Sequence, residues 1–294
     1  MKKIFSLIVV FYAASLSAQE IRSISVHGHR GTRGTRPENT LPAFEEALRA
    51  GVDVLELDLG VTKDNVVVIS HEPKITPQRC LGPGGGKIKK PEPIRSLTLE
   101  EVKKYDCGSI PDSEFPRQVP VPGTKIPTLG EMFVMVEASR YPAAAKVIFN
   151  METKIFPAEP QLAPSPAEFA KMVTEIVKKY GMEKRTIVQS FDVRTLREIK
   201  KIAPEIRTSQ LTGLELVDIV PALKSAGADI WSPNYKWVTA DSIREAHLAG
   251  IQVALWTVNR PEDWDMAITA GADAIITDYP AGLIAYLKAK KLRL

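Results

Sequence analysis

Residues 24–59 read ISVHGHRGTRGTRPENTLPAFEEALRAGVDVLELDL. Ile24–His29 is a β-rich run. Leu41, Phe44, Ala47 and Leu48 then recur at helical spacing, while Glu45, Glu46 and Arg49 point away from that face. Gly51 stands where a left-handed cap would end the helix, and Val54–Leu59 is a second β-rich run. The order is strand, helix, strand.

Outward from this unit the alternation continues. Further β-rich runs lie at Lys146–Glu152, Thr186–Gln189, Ile206–Leu211, Asp229–Ser232, Gln252–Val258 and Ala274–Thr277. Helix-period segments follow most of them, at Pro166–Tyr180, Val193–Ile202, Leu216–Ser225, Asp241–Ala249, Pro261–Ala270 and Ala281–Lys288. Gly181, Gly227, Gly250 and Gly271 fall at their ends, as Gly51 does. Eight strands alternating with helices predict an α/β fold, a (β/α)8 TIM barrel. A doubly wound open sheet is disfavoured because no glycine-rich phosphate fingerprint follows an early strand.

Val66–Ser70 is an extra β-rich run, joined to the second strand through Thr62-Lys63-Asp64-Asn65. It reads as a hairpin that turns His71 back toward the barrel mouth. From about Glu72 to Lys125 prolines and glycines break the alternation, and only Thr98–Tyr105 has a helical pattern, with a Thr98 cap and Glu101 three residues on. This stretch predicts an insertion over the mouth, after the second strand and its hairpin. The Pro-rich loop from Pro157 to Pro166 should border the same mouth. Gly82-Pro83-Gly84-Gly85-Gly86-Lys87 is not a phosphate loop, since Leu81 and Ile88 occupy positions that need glycine and Ser/Thr.

Lys2 and Lys3 precede an apolar run from Ile4 to Ala14, and small residues follow through Ala18. This is the pattern of a signal peptide over residues 1–18, too short in its apolar core for a comfortable membrane span. The expectation is an exported chain, periplasmic or secreted, with residues 19–294 forming one barrel domain and its insertion at about 72–125. Loss of Lys2 and Lys3 lowers the formal charge from +4 to +2, a near balance that argues against a nucleic-acid partner. No later run is apolar enough to span a bilayer, and the oligomeric state is not readable. Cys80 and Cys107 lie in the irregular stretch, where oxidising conditions would favour a disulfide worth about 3 kcal/mol over two separate thiols.

The residues that carry chemistry sit where a barrel gathers its active site, at the C-terminal ends of strands. His29 and Arg30 close the first strand, Glu56 and Asp58 the second, His71 the hairpin, and Glu152 and Lys154 the third. Period-two spacing puts Glu56 and Asp58 on one face of their strand. Three converging carboxylates repel unless a cation or proton intervenes, and oxygen-only ligands favour a hard divalent ion, Ca2+ or Mg2+. A salt-bridge network with Lys154 and Arg30 is the alternative; the flanking histidines favour the metal. A histidine side chain ordinarily changes charge near neutrality, so His29 and His71 suit proton transfer at a phosphate ester. His247, on a helix face, reads as structural, and His27, in phase with His29, as a support for the site without a catalytic role.

Together these residues resemble the glycerophosphodiester phosphodiesterases, phospholipase-C-like phosphodiesterase barrels. The resemblance is carried by His29-Arg30-Gly31, Pro37-Glu38-Asn39-Thr40, Glu56-x-Asp58, Thr62-Lys63-Asp64, His71 and Asn150-Met151-Glu152-Thr153-Lys154. Ser190-Phe191-Asp192, Leu255-Trp256-Thr257-Val258-Asn259 and Gly271-Ala272-Asp273, leading to Thr277-Asp278-Tyr279-Pro280, continue it over roughly residues 24 to 285. The resemblance implies hydrolysis of glycerophosphodiesters to glycerol 3-phosphate and an alcohol, often through attack by the substrate's neighbouring hydroxyl and a cyclic phosphate. It implies metal ligation by Glu56, Asp58 and Glu152, an acid/base pair of His29 and His71, and phosphate neutralisation by Arg30 and Lys154. Trp256 either walls the substrate's glycerol or headgroup or packs as ordinary barrel interior. One departure is Glu72, where the family commonly has aspartate after the second histidine.

The expected role is scavenging of phosphate or glycerol from lipid breakdown. A lysophospholipase-D-like activity on lipid is an alternative; it would favour an apolar rim on the insertion, which has few large hydrophobes. A catalytically silent phosphate- or sugar-binding barrel is a third reading, disfavoured by the paired histidines, which binding alone does not need.

Overall fold

A computed structural model of the chain describes residues 23–293, so the expected signal peptide lies outside the described residues. Eight parallel strands close into a ring: β1 (Ser25–Gly28), β2 (Val54–Val61), β6 (Ile148–Thr153), β7 (Thr186–Ser190), β8 (Arg207–Thr212), β9 (Ile230–Pro233), β10 (Gln252–Leu255) and β11 (Ala274–Thr277). The last strand pairs with the first through Ser25↔Ala274 to Gly28↔Thr277, and β1 pairs with β2 through His27↔Val54. Around the ring pack α1 (Leu41–Ala50), α3 (Leu129–Glu137), α4 (Pro166–Lys179), α5 (Val193–Ile202), α6 (Ile219–Ala226), α7 (Ala240–Leu248), α8 (Pro261–Ala270) and α9 (Pro280–Ala289). This is the (β/α)8 barrel that the alternation predicts. Its strands are buried on both faces, as parallel strands under helices must be.

The expected glycine caps are present. Gly51, Gly181, Gly227, Gly250 and Gly271 all have left-handed φ, between +66° and +92°. Three of them open a repeated turn at the bottom of the barrel: Gly51-Val52-Asp53, Gly227-Ala228-Asp229 and Gly271-Ala272-Asp273. In each, the aspartate accepts a backbone N–H from the neighbouring strand: Val26 to Asp53 at 2.9 Å, Thr208 to Asp229 at 2.8 Å, Val253 to Asp273 at 2.7 Å. Each also meets a basic side chain, Arg293, Lys200 and His247 respectively. The structural reading of His247 is therefore met by a specific contact, 2.7 Å from Asp273.

Outside the ring, β3 (Val67–Ile69) runs antiparallel to the outer end of β2, from Leu59↔Ile69 to Val61↔Val67. This is the expected hairpin, and it carries β2 past Asp58 to Val61, so Glu56 and Asp58 lie within the strand rather than closing it. The insertion holds β4 (Lys74–Ile75) paired with β5 (Glu92–Pro93) and a short α2 (Leu99–Val102). Its Thr98–Glu101 capping box forms as expected, but the helix stops at Val102, short of the predicted Tyr105. Val68, Ile75, Cys80, Ile94, Val102, Tyr105 and Ile126 make a small separate core under it, closed by a Cys80–Cys107 disulfide.

Three further boundaries differ from expectation. α3 was not predicted: LGEMFVMVE is apolar nearly all round and so lacks the polar face that marks a helix, yet its Leu129, Met132, Phe133 and Val136 are buried. α6 begins at Ile219 rather than Leu216, because the preceding Asp218 takes a left-handed φ of +52° and provides no side-chain cap. β10 ends at Leu255, leaving Trp256–Val258 in the loop beyond.

Candidate active site

The first loop above the barrel is tightly wound. A Cβ on Gly28 would lie 2.3 Å from the Gly31 carbonyl oxygen, and Gly31 has φ +83° with the Ala43 backbone 2.7 Å from where its Cβ would be. Only glycine fits either place. Arg30 and Asn39 also have left-handed φ, +49° and +57°, a conformation that costs an L-residue about 1–2 kcal/mol. Contacts to the site hold both. The Arg30 N–H donates to Glu56 at 2.9 Å, and the Asn39 N–H donates to the Arg30 carbonyl at 3.0 Å.

Three residues of Pro37-Glu38-Asn39-Thr40 then have a task. Glu38 accepts from the Arg30 guanidinium with both oxygens at 2.9 Å and pairs with Arg33 at 2.7 Å. Burial pushes its carboxyl up, but Arg30, Arg79 and Arg33 outweigh burial and hold it below the ordinary range. Asn39 donates to Asp58 at 2.8 Å, and Thr40 caps α1.

Glu56, Asp58 and Glu152 converge, with one oxygen of each within 4.8 Å of the others. The register explains it, since Asp58 lies beside Glu152 on adjacent strands and Glu56 is two residues earlier on the same face. Both sequence-level readings are visible. Lys154 sits 3.1 Å from Asp58 and 2.8 Å from Glu152, and Arg30 Nε is 3.3 Å from Asp58. Glu56, however, meets no cationic side chain in an ion pair among the described residues; it accepts from Gln189 at 2.6 Å and from the Arg30 backbone. Burial and the Asp58 charge push the Glu56 carboxyl well up. Burial pushes Glu152 up to about 7, against the pull of Lys154. Asp58 goes the other way: burial raises it, but Lys154 and Arg30 prevail and hold it well below the carboxylate range. Lys154 and Arg30 thus favour the charged form of Asp58, Lys154 is shared with Glu152, and Glu56 has no cationic side chain paired with it among the described residues. An all-oxygen set that stays short of positive charge fits a hard divalent ion.

The two histidines flank this cluster, and each is held by a carboxylate. His29 Nδ1 lies 2.6 Å from Asp278, which also accepts from Asn259 at 2.6 Å; His71 Nδ1 lies 2.8 Å from Glu72. Asp278 and Glu72 are both held below their ordinary range, Asp278 because His29 outweighs its burial and Glu72 chiefly by its bond to His71. An ionised carboxylate only accepts, so each ring turns an Nδ1–H toward its carboxylate. Burial lowers the His29 pKa, with the Asp278 charge working against it. Ser70 N–H donates to the Asp58 carbonyl at 2.9 Å, which fixes the hairpin and brings His71 over the cluster, as expected. A cavity lined by Glu38, Asn39, His71, Glu72 and Arg79 runs from there under the insertion. A second cavity, lined by His71, Lys154, Phe156 and Leu162, joins the Pro-rich loop to the same mouth.

Of the remaining expected residues, Trp256 stands at the mouth after β10, its ring edge-on to Phe191 at 5.7 Å and its indole N–H on the Ser232 carbonyl at 2.7 Å. His27 does not join the cluster. It lies below it, opposite Val54, beside a cavity of about 190 Å³ at the barrel bottom, and burial drives its pKa down to about 3. Sequence reasoning missed Gln189 and the specific tasks of Asn39, Asn259 and Asp278. Period-two spacing marks a face of one strand and is silent about a partner on another.

A sequence profile described as the Glycerophosphoryl diester phosphodiesterase family matches residues 29–282. The chain belongs to this family. A glycerophosphodiester phosphodiesterase of Caldanaerobacter subterraneus is 32% identical over 263 residues, covering 88% of this chain and 96% of the relative. A crystal structure of a candidate glycerophosphoryl diester phosphodiesterase from Silicibacter pomeroyi superposes with a TM-score of 0.86 at 32% identity, covering 92% of this chain and 95% of the other. The fold is shared at lower identity, 22%, by an Oleispira antarctica phosphodiesterase in complex with its product sn-glycerol-3-phosphate, TM-score 0.74, covering 90% and 96%. As a member of the glycerophosphoryl diester phosphodiesterase family, the chain is a phosphoric diester hydrolase acting on glycerophosphodiesters.

Proposed function

We propose that this phosphodiesterase is an exported, divalent-metal-dependent enzyme that releases glycerol 3-phosphate and an alcohol by proton transfer through His29 and His71. The observation that carries the reading is the carboxylate cluster Glu56, Asp58 and Glu152, flanked by two imidazoles whose Nδ1 atoms are each held by a carboxylate. Such rings are fixed in one tautomer, with Nε2 ready to take a proton from the attacking oxygen or return one to the departing alcohol. Arg30 and Lys154 neutralise the phosphate oxygens as charge gathers on them. Glu56, Asp58 and Glu152 would hold the ion, which supplies Lewis-acid polarisation of a phosphoryl oxygen when bound. The glycerol 3-phosphate bound by the Oleispira enzyme of the same fold is the product this reading requires. Export is supported by the leader-like residues 1–18 and by the disulfide, which belongs to oxidising compartments.

The test is release of glycerol 3-phosphate from glycerophosphocholine by purified protein after EDTA treatment, with Ca2+ or Mg2+ restored. Metal-restored release is expected. Full activity in EDTA would remove the metal from the mechanism, and silence with every metal would favour a binding protein.

A further inference from the structure

The interior of a (β/α)8 barrel is ordinarily filled by layers of branched side chains. At the bottom of this barrel the filling is incomplete. Ala254 and Ala274 are register partners on β10 and β11, so two methyl groups stand side by side where larger side chains would meet. The space left is the cavity of about 190 Å³ beside His27, and every strand of the ring contributes to its wall. Val54, Ile148, Ile187 and Ile230 give it apolar sides. It lies at the N-terminal ends of the strands, away from the carboxylate cluster, and the phosphodiesterase reading makes no use of it.

Two polar groups in that wall lack the partners their chemistry asks for. His27 is 4% exposed, and its buried Nδ1 has no hydrogen-bond partner among the described residues. Burial keeps the ring neutral, so it offers one N–H and one lone pair, and a hydroxyl can meet either. Arg207 stands across the barrel axis, since β1 and β8 are four strands apart in either direction round the ring. Its guanidinium donates to Gln252 Oε1 at 3.1 Å and pairs with no carboxylate among the described residues. Burial holds its pKa below the ordinary value, although Asp229 pulls the other way. Asp273 borders the cavity, but its carboxylate is held by the Val253 N–H and by His247. Arg207 and Gln252 are exposed at the first residues of their strands, so the charge sits at the opening and the imidazole inside. The complement of this wall is a small molecule with a carboxylate at one end, a short aliphatic body and a hydroxyl at the other. A cation is disfavoured by Arg207, and a phosphate dianion would bring two charges to one guanidinium and leave the apolar sides without a partner. We propose that the barrel bottom is a binding site for a short hydroxycarboxylate, its carboxylate on Arg207 and Gln252 and its hydroxyl on His27. A planar guanidinium matches a carboxylate with two parallel N–H donors. The site is independent of the phosphodiesterase reading.

The experiment is saturation-transfer NMR of the purified protein, titrated with 4-hydroxybutyrate and with butyrate, and with inorganic phosphate added as a competitor. Both carboxylates are expected to bind wild type, the hydroxy acid about three- to tenfold more tightly, and phosphate to displace neither at equal concentration. Arg207→Met keeps the stem at an exposed position and removes the charge. It should weaken both carboxylates about tenfold or more while glycerophosphocholine turnover stays at the wild-type value. His27→Leu should erase the preference for the hydroxy acid and leave butyrate binding in place. Ala254→Leu fills the cavity and should abolish binding of both. No saturation transfer to either carboxylate overturns the proposal and leaves the cavity to water. Undiminished binding in Arg207→Met or Ala254→Leu would put the ligand elsewhere and also overturns it, as does displacement by phosphate. Equal affinity of wild type for the two carboxylates would remove His27 from the site and overturn the assignment of a hydroxy acid.

Discussion

At the scale of single residues, the site is governed by which partner holds each proton. Asp278 positions His29 through Nδ1, and Asn259 in turn holds Asp278. Asp278→Asn is expected to lower kcat about tenfold or more with little change in KM. It should also move the His29-controlled limb of the pH–rate profile to lower pH, because the Asp278 charge supports protonation of that ring. An unchanged profile would make Asp278 merely structural. His27 offers a separate test through stability. Its folded pKa of about 3 is depressed from the ordinary 6.5, so between those values the unfolded chain binds a proton that the folded one refuses. Stability is complete above pH 6.5 and falls as pH drops toward 3. Relative to His27→Leu, wild type is expected to lose roughly 2 kcal/mol between pH 7 and pH 5, measured by urea unfolding; parallel losses in both proteins would refute it. His29, Arg30, Glu56, Asp58 and Glu152 were legible in the sequence because local spacing alone puts them at strand ends or on one strand face. The bonds His29–Asp278 and Gln189–Glu56 join residues 249 and 133 positions apart, and no local pattern carries that information.

At the scale of elements, the repeated Gly-x-Asp turn explains how separate strands are locked into one ring. The glycine ends a helix, and the aspartate reaches sideways to a backbone N–H of the adjacent strand and to a basic side chain. Removing one such carboxylate leaves the strand N–H without its acceptor and takes one partner from the basic side chain. Asp229→Ala is expected to cost about 1–3 kcal/mol by releasing Thr208 N–H and Lys200, while kcat stays at the wild-type value because the turn lies at the far end from the site. An unaltered melting temperature would show that the turn carries no load. The glycines of these turns were legible because a left-handed cap has a residue signature. α3 was not, since apolar residues such as Val134 stand on its exposed face as well as its buried one, and the run presents no periodic contrast. The late start of α6 was hidden for the converse reason: Leu214 and Val217 extend an apolar pattern that the fold leaves in solvent.

At the scale of the whole molecule, the insertion reaches over one side of the mouth and ties to the loops after β1 and β11, the next two strands from β2 in the ring. Val119 N–H donates to Thr35, Gln118 to the Arg33 carbonyl, Arg33 pairs with Glu114, and Arg117 stacks on Tyr279 beyond β11. The disulfide closes the base of this strap, and Cys80→Ser/Cys107→Ser is expected to cost about 3 kcal/mol by freeing the unfolded chain. Proteolysis should then cut first within residues 81–106; resistance equal to wild type would show that the strap holds by its other contacts. The closed ring of strands was legible as a count of alternations, whereas the path of the strap was not, because proline and glycine say where regular structure stops but not where the chain goes next. The division of the mouth has an evolutionary consequence. The paired histidines and the carboxylate cluster come from the opening third of the barrel, whereas the exposed Phe191, Leu214 and Trp237 stand on the loops after β7, β8 and β9. Recombination that exchanges those later loops can therefore retarget the enzyme while inheriting its chemistry intact, so lineages of this barrel should diversify in diet faster than in reaction.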